Sequence, residues 1–194
     1  MYQHFHNKFQ KTVFIIHPGE YLASGDDIII STVLGSCVAV ALYDPTRRSG
    51  GLNHFMLPGS IERHNFMNET GKYGVFAMEL LLNSLLREGS RKSSIRAKVF
   101  GGGHVLASAV QGSGSVPRSN VEFAIDYLQT EGIPIESQDV GGTTARKVFF
   151  FPQTARVLLK RITGQLVKDV EKEEEEYLKS IRSRKKDTGD VTLF

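Results

Sequence analysis

Cysteine is nearly absent. Cys37 is the one cysteine among 194 residues, so the chain can form no internal disulfide and no cysteine-based zinc site. That scarcity points to a reducing, cytoplasmic setting. Tryptophan is missing, and no apolar run is long enough to span a bilayer. The opening residues Met1-Tyr2-Gln3-His4-Phe5-His6 lack a basic stretch followed by an apolar one, so no signal peptide is expected. Strong charge of one sign is lacking too: the net +3 divides into +4 over residues 1–163 and −1 over residues 164–194. No basic patch is interleaved with aromatics, which argues against a nucleic-acid partner. A weakly basic body does suit an acidic protein partner, through steering. No internal repeat occurs, and nothing suggests a large apolar interface, so a monomer is expected.

What is present reads as one domain with two appendages. Residues 1–11 are polar and are expected as a flexible arm, residues 12–163 as the folded domain, and residues 164–194 as a charged helix and tail. Within the domain, strands are expected at Thr12–Ile16, Ile28–Val33, Cys37–Tyr43 and Leu52–Leu57. Along Cys37–Tyr43, Cys37, Ala39 and Ala41 share one face and Val38, Val40 and Leu42 the other, so that strand is expected at the centre of its sheet. The turn Asp44–Gly51 would pair it with Leu52–Leu57 as a hairpin. Residues 73–87 carry a broad apolar stripe closed by Gly89, which predicts a helix. A strand over Ile95–Phe100 runs into Gly101-Gly102-Gly103. A second helix is expected from a capping box with Ser119 as N-cap and Glu122 three residues on, ending at Gly132. Three further strands are expected at Ile133–Val140, Arg146–Phe151 and Arg156–Ile162. This order lacks βαβ alternation and predicts an α+β fold, with a mixed or antiparallel sheet and helices on one side. In residues 165–186, Leu166, Val170, Tyr177, Leu178 and Ile181 form a thin apolar stripe, read as an exposed helix with a frayed end, solvated in preference to docked on the body or on a partner.

The chemistry centres on Cys37 and His54, 17 positions apart on neighbouring strands. Cysteine and histidine are the minimum pair for thiol nucleophilic catalysis: the thiolate attacks a carbonyl carbon, and the imidazole moves its proton. A lone free cysteine is more commonly a small buried hydrophobe, and a strand histidine more commonly bonds a backbone carbonyl. Three features favour catalysis here. Leu34-Gly35-Ser36 is a small-residue break whose backbone N–H groups, at Gly35, Ser36 and Cys37, can face an incoming carbonyl oxygen. A histidine is at hand, and hydroxyls at Ser31, Thr32 and Ser36 could orient its ring. His64 and His104 compete for the base role. A metal site at His4 and His6 has no carboxylate cluster behind it, and no metal or other cofactor is expected. Phe100–His104 lacks the phosphate-loop pattern, and close packing of strand on helix accounts better for its glycines.

These residues carry a family resemblance. Thr32-Val33-Leu34-Gly35-Ser36-Cys37-Val38-Ala39-Val40, Gly51-Leu52-Asn53-His54-Phe55-Met56-Leu57-Pro58 and Ala97-Lys98-Val99-Phe100-Gly101-Gly102 resemble blocks of the CheD family, the chemoreceptor glutamine deamidases of bacterial chemotaxis. Asn120-Val121-Glu122-Phe123, Glu131-Gly132-Ile133-Pro134-Ile135, Asp139-Val140-Gly141-Gly142 and Arg146-Lys147-Val148 continue the likeness, which spans residues 12–162 and leaves the tail outside it. The resemblance implies a compact α+β sandwich related to bacterial deamidating toxins. It also implies hydrolysis of receptor glutamines to glutamate with release of ammonia, on cytoplasmic chemoreceptor helices. The implied catalytic set is a cysteine, a histidine and a threonine just upstream of the cysteine. Cys37 and His54 match, and the third position falls on Ser31 or Thr32. Specificity would come from recognising a helix around the glutamine, with residues 58–72, 101–103 and 112–115 as candidate rims.

Two other readings share these residues. The chain could be chiefly a regulatory binding partner of the chemotaxis phosphatase CheC, as the resemblance also implies for the family. It could instead be a receptor methylesterase using the same thiol on an ester. A papain-like protease fits poorly, because its histidine lies far downstream of its cysteine.

Overall fold

The computed structural model describes residues 1–59, 69–105 and 116–184. His64 and the stretch 112–115 lie outside the described residues, as does the chain beyond residue 184. The described strands are β1 (Tyr2–His6), β2 (Lys11–Ile15), β3 (Tyr21–Ser24), β4 (Ile29–Leu34), β5 (Val38–Asp44), β6 (Ser49–Asn53), β7 (Arg96–Gly101), β8 (Ile135–Val140), β9 (Ala145–Phe151) and β10 (Arg156–Ile162). The helices are α1 (Glu69–Arg87), α2 (Val116–Thr130) and α3 (Gln165–Arg184). They build two five-stranded sheets, ordered β1-β2-β4-β9-β10 and β3-β6-β5-β7-β8. Both are mixed, because β2 pairs β4 in parallel and β7 pairs β8 in parallel. The α+β class expected from the order of elements holds.

β5 explains the layering. It is central in its sheet, and all seven of its residues are buried. Val38, Val40 and Leu42 point into one core with Met78, Leu81 and Leu85 of α1 and Phe123, Ala124 and Leu128 of α2. Ala39, Ala41 and Tyr43 point the other way, into a core shared with Ile30, Leu34, Val148 and Phe150 of the facing sheet. A strand that is apolar on both faces therefore carries sheet on one face and helices on the other.

Four elements depart from expectation. Residues 1–11 do not form a loose arm: Tyr2–His6 pairs antiparallel with β2, and the His6 ring lies tilted against Phe9, which meets Phe149 and Phe151 edge-on. The histidines made an aromatic edge strand look polar. β3 was not expected, since its four residues are only half buried. The expected strand Leu52–Leu57 stops at Asn53, after which only a bridge between Val38 and Phe55 continues the pairing. α2 begins at Val116, and Ser119 lies buried inside the helix instead of capping it. Pro117 in the first turn needs no N–H and carries a φ already suited to a helix.

The glycines after β7 have a steric cause. Gly101 (φ +108°) and Gly102 (φ +65°) adopt backbone angles that side chains resist. A Cβ at Gly101 would lie 2.2 Å from the Cys37 carbonyl oxygen, and one at Gly102 2.2 Å from Val121 of α2. Gly101→Ala is expected to cost at least the ~1–3 kcal/mol of a forced backbone. Urea unfolding of the variant should show a lower midpoint with an unchanged slope.

Candidate active site

The loop between β4 and β5, Gly35-Ser36-Cys37, has its three carbonyls tied down on its inner side. Gly103 N–H donates to the Gly35 carbonyl at 2.7 Å, and Gly102 N–H donates to that of Cys37 at 2.7 Å. The Asn120 side chain, fully buried in α2, donates Nδ2–H to the Ser36 carbonyl at 2.9 Å. With the carbonyls committed inward, the N–H groups of all three residues point outward and converge. They converge on a carboxylate. Glu174 Oε1 accepts from Gly35 N at 2.9 Å and Cys37 N at 3.1 Å, and Oε2 accepts from Ser36 N at 2.8 Å and Ser36 Oγ at 2.6 Å. Successive N–H groups around one anion form a nest, the same arrangement an oxyanion would need.

His54 follows β6, across from Cys37. Its backbone N–H donates to the Glu20 carbonyl and its carbonyl accepts from Gly19 N, so a turn at residues 17–20 fixes it on the far side. Its Nδ1 lies 2.7 Å from Thr32 Oγ1. Thr32 has one hydroxyl proton and gives it to the Ile16 carbonyl at 2.8 Å, so its oxygen accepts from His54 Nδ1–H. Proton accounting thus leaves Nε2 as the basic nitrogen, and it is buried with no hydrogen-bond partner among the described residues. A His54 ring nitrogen, the Cys37 sulfur and a Glu174 carboxylate oxygen all lie within 4.8 Å of one another.

Strand alternation separates the two candidate hydroxyls. Ser31 and Thr32 are neighbours on β4 and point to opposite faces. Ser31 Oγ donates to the Val148 carbonyl at 2.8 Å, inside the sheet, and Thr32 turns to His54. His104 is not in the group around Cys37; its N–H donates to the Gly142 carbonyl. The donor trio Cys37, His54 and Glu174 has the residue types of a metal site. Each Glu174 oxygen already accepts two hydrogen bonds, however, which occupies the lone pairs a cation would need.

Cys37 and His54 are buried. Burial holds the Cys37 thiol well above its ordinary pKa, and the Glu174 carboxylate raises it further. Burial brings His54 down to about 3, with the His17 charge adding to the effect and the Ile16 carbonyl opposing it. In this state thiol and imidazole are both neutral.

Two residues of the site escaped the sequence reading. Asn120 accepts Leu57 N–H at 2.8 Å while donating to Ser36, so one side chain ties the Gly35–Cys37 loop to the chain beyond His54. Its signal was a polar residue on the apolar side of a helix. Glu174 also left a trace: it sits four residues after Val170 and four before Leu178, on the buried stripe of α3. α3 was expected to be solvated and is docked, with Val170 and Ile181 buried and Tyr177 and Leu178 packed against the core below Cys37.

Residues 56–161 match the sequence model of a family described as CheD chemotactic sensory transduction. A protein of Shewanella oneidensis named probable chemoreceptor glutamine deamidase CheD 1 is 44% identical over 194 residues, covering 99% of this chain and 92% of that one. A protein of Albidiferax ferrireducens with the same name is 42% identical over 186 residues, covering 96% and 77%. A Methylobacillus flagellatus protein named probable chemoreceptor glutamine deamidase CheD is 40% identical over 181 residues, covering 92% and 88%. Among solved structures, the Bacillus licheniformis hypothetical protein YfiH aligns with a TM-score of 0.41 and 17% identity, over 63% of this chain and 49% of that one.

Two outcomes follow from the geometry. Asn120→Ala leaves the Leu57 N–H and the Ser36 carbonyl without partners, at ~1–3 kcal/mol for each buried group, and should lower the denaturant midpoint accordingly. His54, held near a pKa of 3 in the fold, binds its proton more readily when unfolded. Between pH 6.5 and about 4 the unfolded state therefore gains protons that the native state does not, and stability falls as pH falls, by up to ~1.4 kcal/mol per unit. Unfolding free energies of wild type and His54→Gln across that window should differ by this slope.

Proposed function

The chain belongs to the CheD family, and on that premise we propose that it is a protein-glutamine deamidase with Cys37 as nucleophile, His54 as base and Thr32 as the group that orients His54. Its substrates in this reading are glutamines on the cytoplasmic helices of chemoreceptors, and its products are glutamate and ammonia. The observation that carries the assignment is the nest at Gly35, Ser36 and Cys37 holding a glutamate side chain beside the cysteine sulfur and the imidazole. The reaction needs a tetrahedral oxyanion held there and leaves a glutamate there.

The steps follow from the atoms present. His54 Nε2 takes the thiol proton, and the sulfur electron pair forms a C–S bond to the carboxamide carbon. The carbonyl π pair moves to oxygen, where the nest donates to it. One such donor is typically worth about 3 kcal/mol. On collapse the C–N bond breaks, and ammonia leaves with the proton from Nε2. Water then attacks the thioester carbon, giving its proton to Nε2. The C–S bond breaks, and the returning thiolate regains its proton. Thr32 keeps Nδ1 protonated throughout, so each transfer runs through Nε2.

No helix of the described residues is long and apolar enough to cross a membrane. We assign the protein's action to the cytoplasmic face, as a monomer, with a CheC-type phosphatase as a further partner.

Ammonia release and mass analysis of a purified receptor cytoplasmic fragment, at saturating fragment, test this reading. Wild type is expected to convert glutamine to glutamate, and Cys37→Ala and His54→Ala to abolish it. Thr32→Val should lose a share of the ~10²–10⁴ a positioned base supplies, while Ser31→Ala retains turnover. Methanol in place of ammonia would identify an esterase. Binding of the fragment without conversion, unchanged in Cys37→Ala, would identify a regulatory binding protein.

A further inference from the structure

The nucleophile of an enzyme that acts on other proteins should be reachable, and here it is not. Cys37 has no exposed surface, and the group closing the nest above it is Glu174 of α3, itself 1% exposed. A lone carboxylate is costly to bury unless its hydrogen bonds are met. Glu174 meets them with three backbone N–H groups and one hydroxyl, all from the nucleophile loop. From this we propose that α3 occupies, within the same chain, the groove in which the substrate helix docks, with Glu174 standing where the product glutamate stands. The proposal rests on the deamidase reading and adds to it both the regulation of the site and the form of its substrate.

The neighbours of Glu174 give the register in which the groove reads a helix. One residue before it, Glu173 reaches His17 Nδ1 at 2.5 Å. Three residues after it, the Tyr177 ring lies over Gly19, so closely that a Cβ there would meet its hydroxyl at 2.5 Å, and that hydroxyl bonds Tyr73. Eight residues after it, Arg182 Nε donates to the Pro58 carbonyl at 2.9 Å. Val170 and Ile181, one turn before and two turns after, are the buried apolar contacts. A substrate helix for this groove is thus amphipathic, with its glutamine on the apolar stripe, an acidic residue just before it and an aromatic or large apolar residue three positions on. A glutamine on a helix differs from Glu174 by one atom type, nitrogen for oxygen. The docked carboxylate also opposes thiolate formation, as the raised Cys37 thiol shows. α3 therefore blocks the site sterically and disarms it electrostatically, and a receptor helix must displace it.

Because Cys37 is the only thiol in the chain, alkylation by iodoacetamide reads access to it without any substrate. In full-length wild type the reaction should be slow. Glu174→Ala should accelerate it about tenfold or more, the factor expected when the open state is below about a tenth of the population, and lower the KM for a receptor fragment by a similar factor. Ile181→Asp, which leaves Glu174 in place but undermines the docked stripe, should also accelerate it. Leu166→Ala, on an exposed position of α3, should not. Equal alkylation rates in wild type, Glu174→Ala and Ile181→Asp would overturn the proposal. Faster alkylation with no ammonia from the fragment in any variant would keep the plug and overturn the deamidase reading; ammonia release with unaltered alkylation would do the reverse. Glu174→Gln supplies a second measurement. Its side chain is a substrate in place, so it should revert to glutamate by hydrolysis with release of one ammonia per chain, and should persist in Cys37→Ala/Glu174→Gln. A glutamine that persists at position 174 in a chain able to convert receptor fragment would overturn the product-like register.

Discussion

Everything in the site depends on three carbonyls facing inward. Gly35, Ser36 and Cys37 could each turn either polar group toward the cleft, and only one choice makes an anion nest. Two glycine N–H groups and the Asn120 amide take the carbonyls from below. That support needs Gly102 to pass against Val121 with no side chain between them, and it needs α2 to present Asn120 at the same point. The packing of α2 on the β5 sheet is therefore also what aims the nest. Electrostatic stabilisation of this kind works because the donors are already in place and need no reorganisation as charge develops.

The same principle governs His54. A buried imidazole can carry its proton on either nitrogen, and the chain decides by giving Thr32 another acceptor, the Ile16 carbonyl, for its own proton. One sheet supplies Thr32 and the other leads into His54, so the imidazole is oriented across the interface between the sheets. Cys37 stands at the entry to β5, the strand that both cores share. Cys37, His54 and Thr32 thus come together from β4 and the ends of two neighbouring strands, brought side by side by the sandwich.

Much of this was legible in the sequence because it rests on period and pairing. The alternation of alanines against branched residues along β5 gave its central place and both its faces. The hairpin spacing gave the approach of His54 to Cys37. The choice between Ser31 and Thr32 was not legible, because it depends on which face of β4 meets the second sheet, and neighbouring hydroxyls look alike until that is fixed. The edge strand Tyr2–His6 hid behind histidines that stack as aromatics. Glu174 hid for the opposite reason: a carboxylate on an apolar helical stripe reads as solvent-facing, and only the nest beneath it supplies the bonds that allow it to be buried.

The amides of residues 35–37 act together on a single carboxylate while their carbonyls stay fixed from below, and the rest of the site is built on that. Proton and nitrogen chemical shifts of the backbone amides in ¹⁵N-labelled full-length protein measure this directly, compared between wild type and Glu174→Ala. The Gly35, Ser36 and Cys37 amide protons should lie well downfield in wild type and move upfield together in the variant, while those of Gly102 and Gly103 stay where they are. Amides at 35–37 that do not respond, or a joint shift of the Gly102 and Gly103 amides with them, would contradict it.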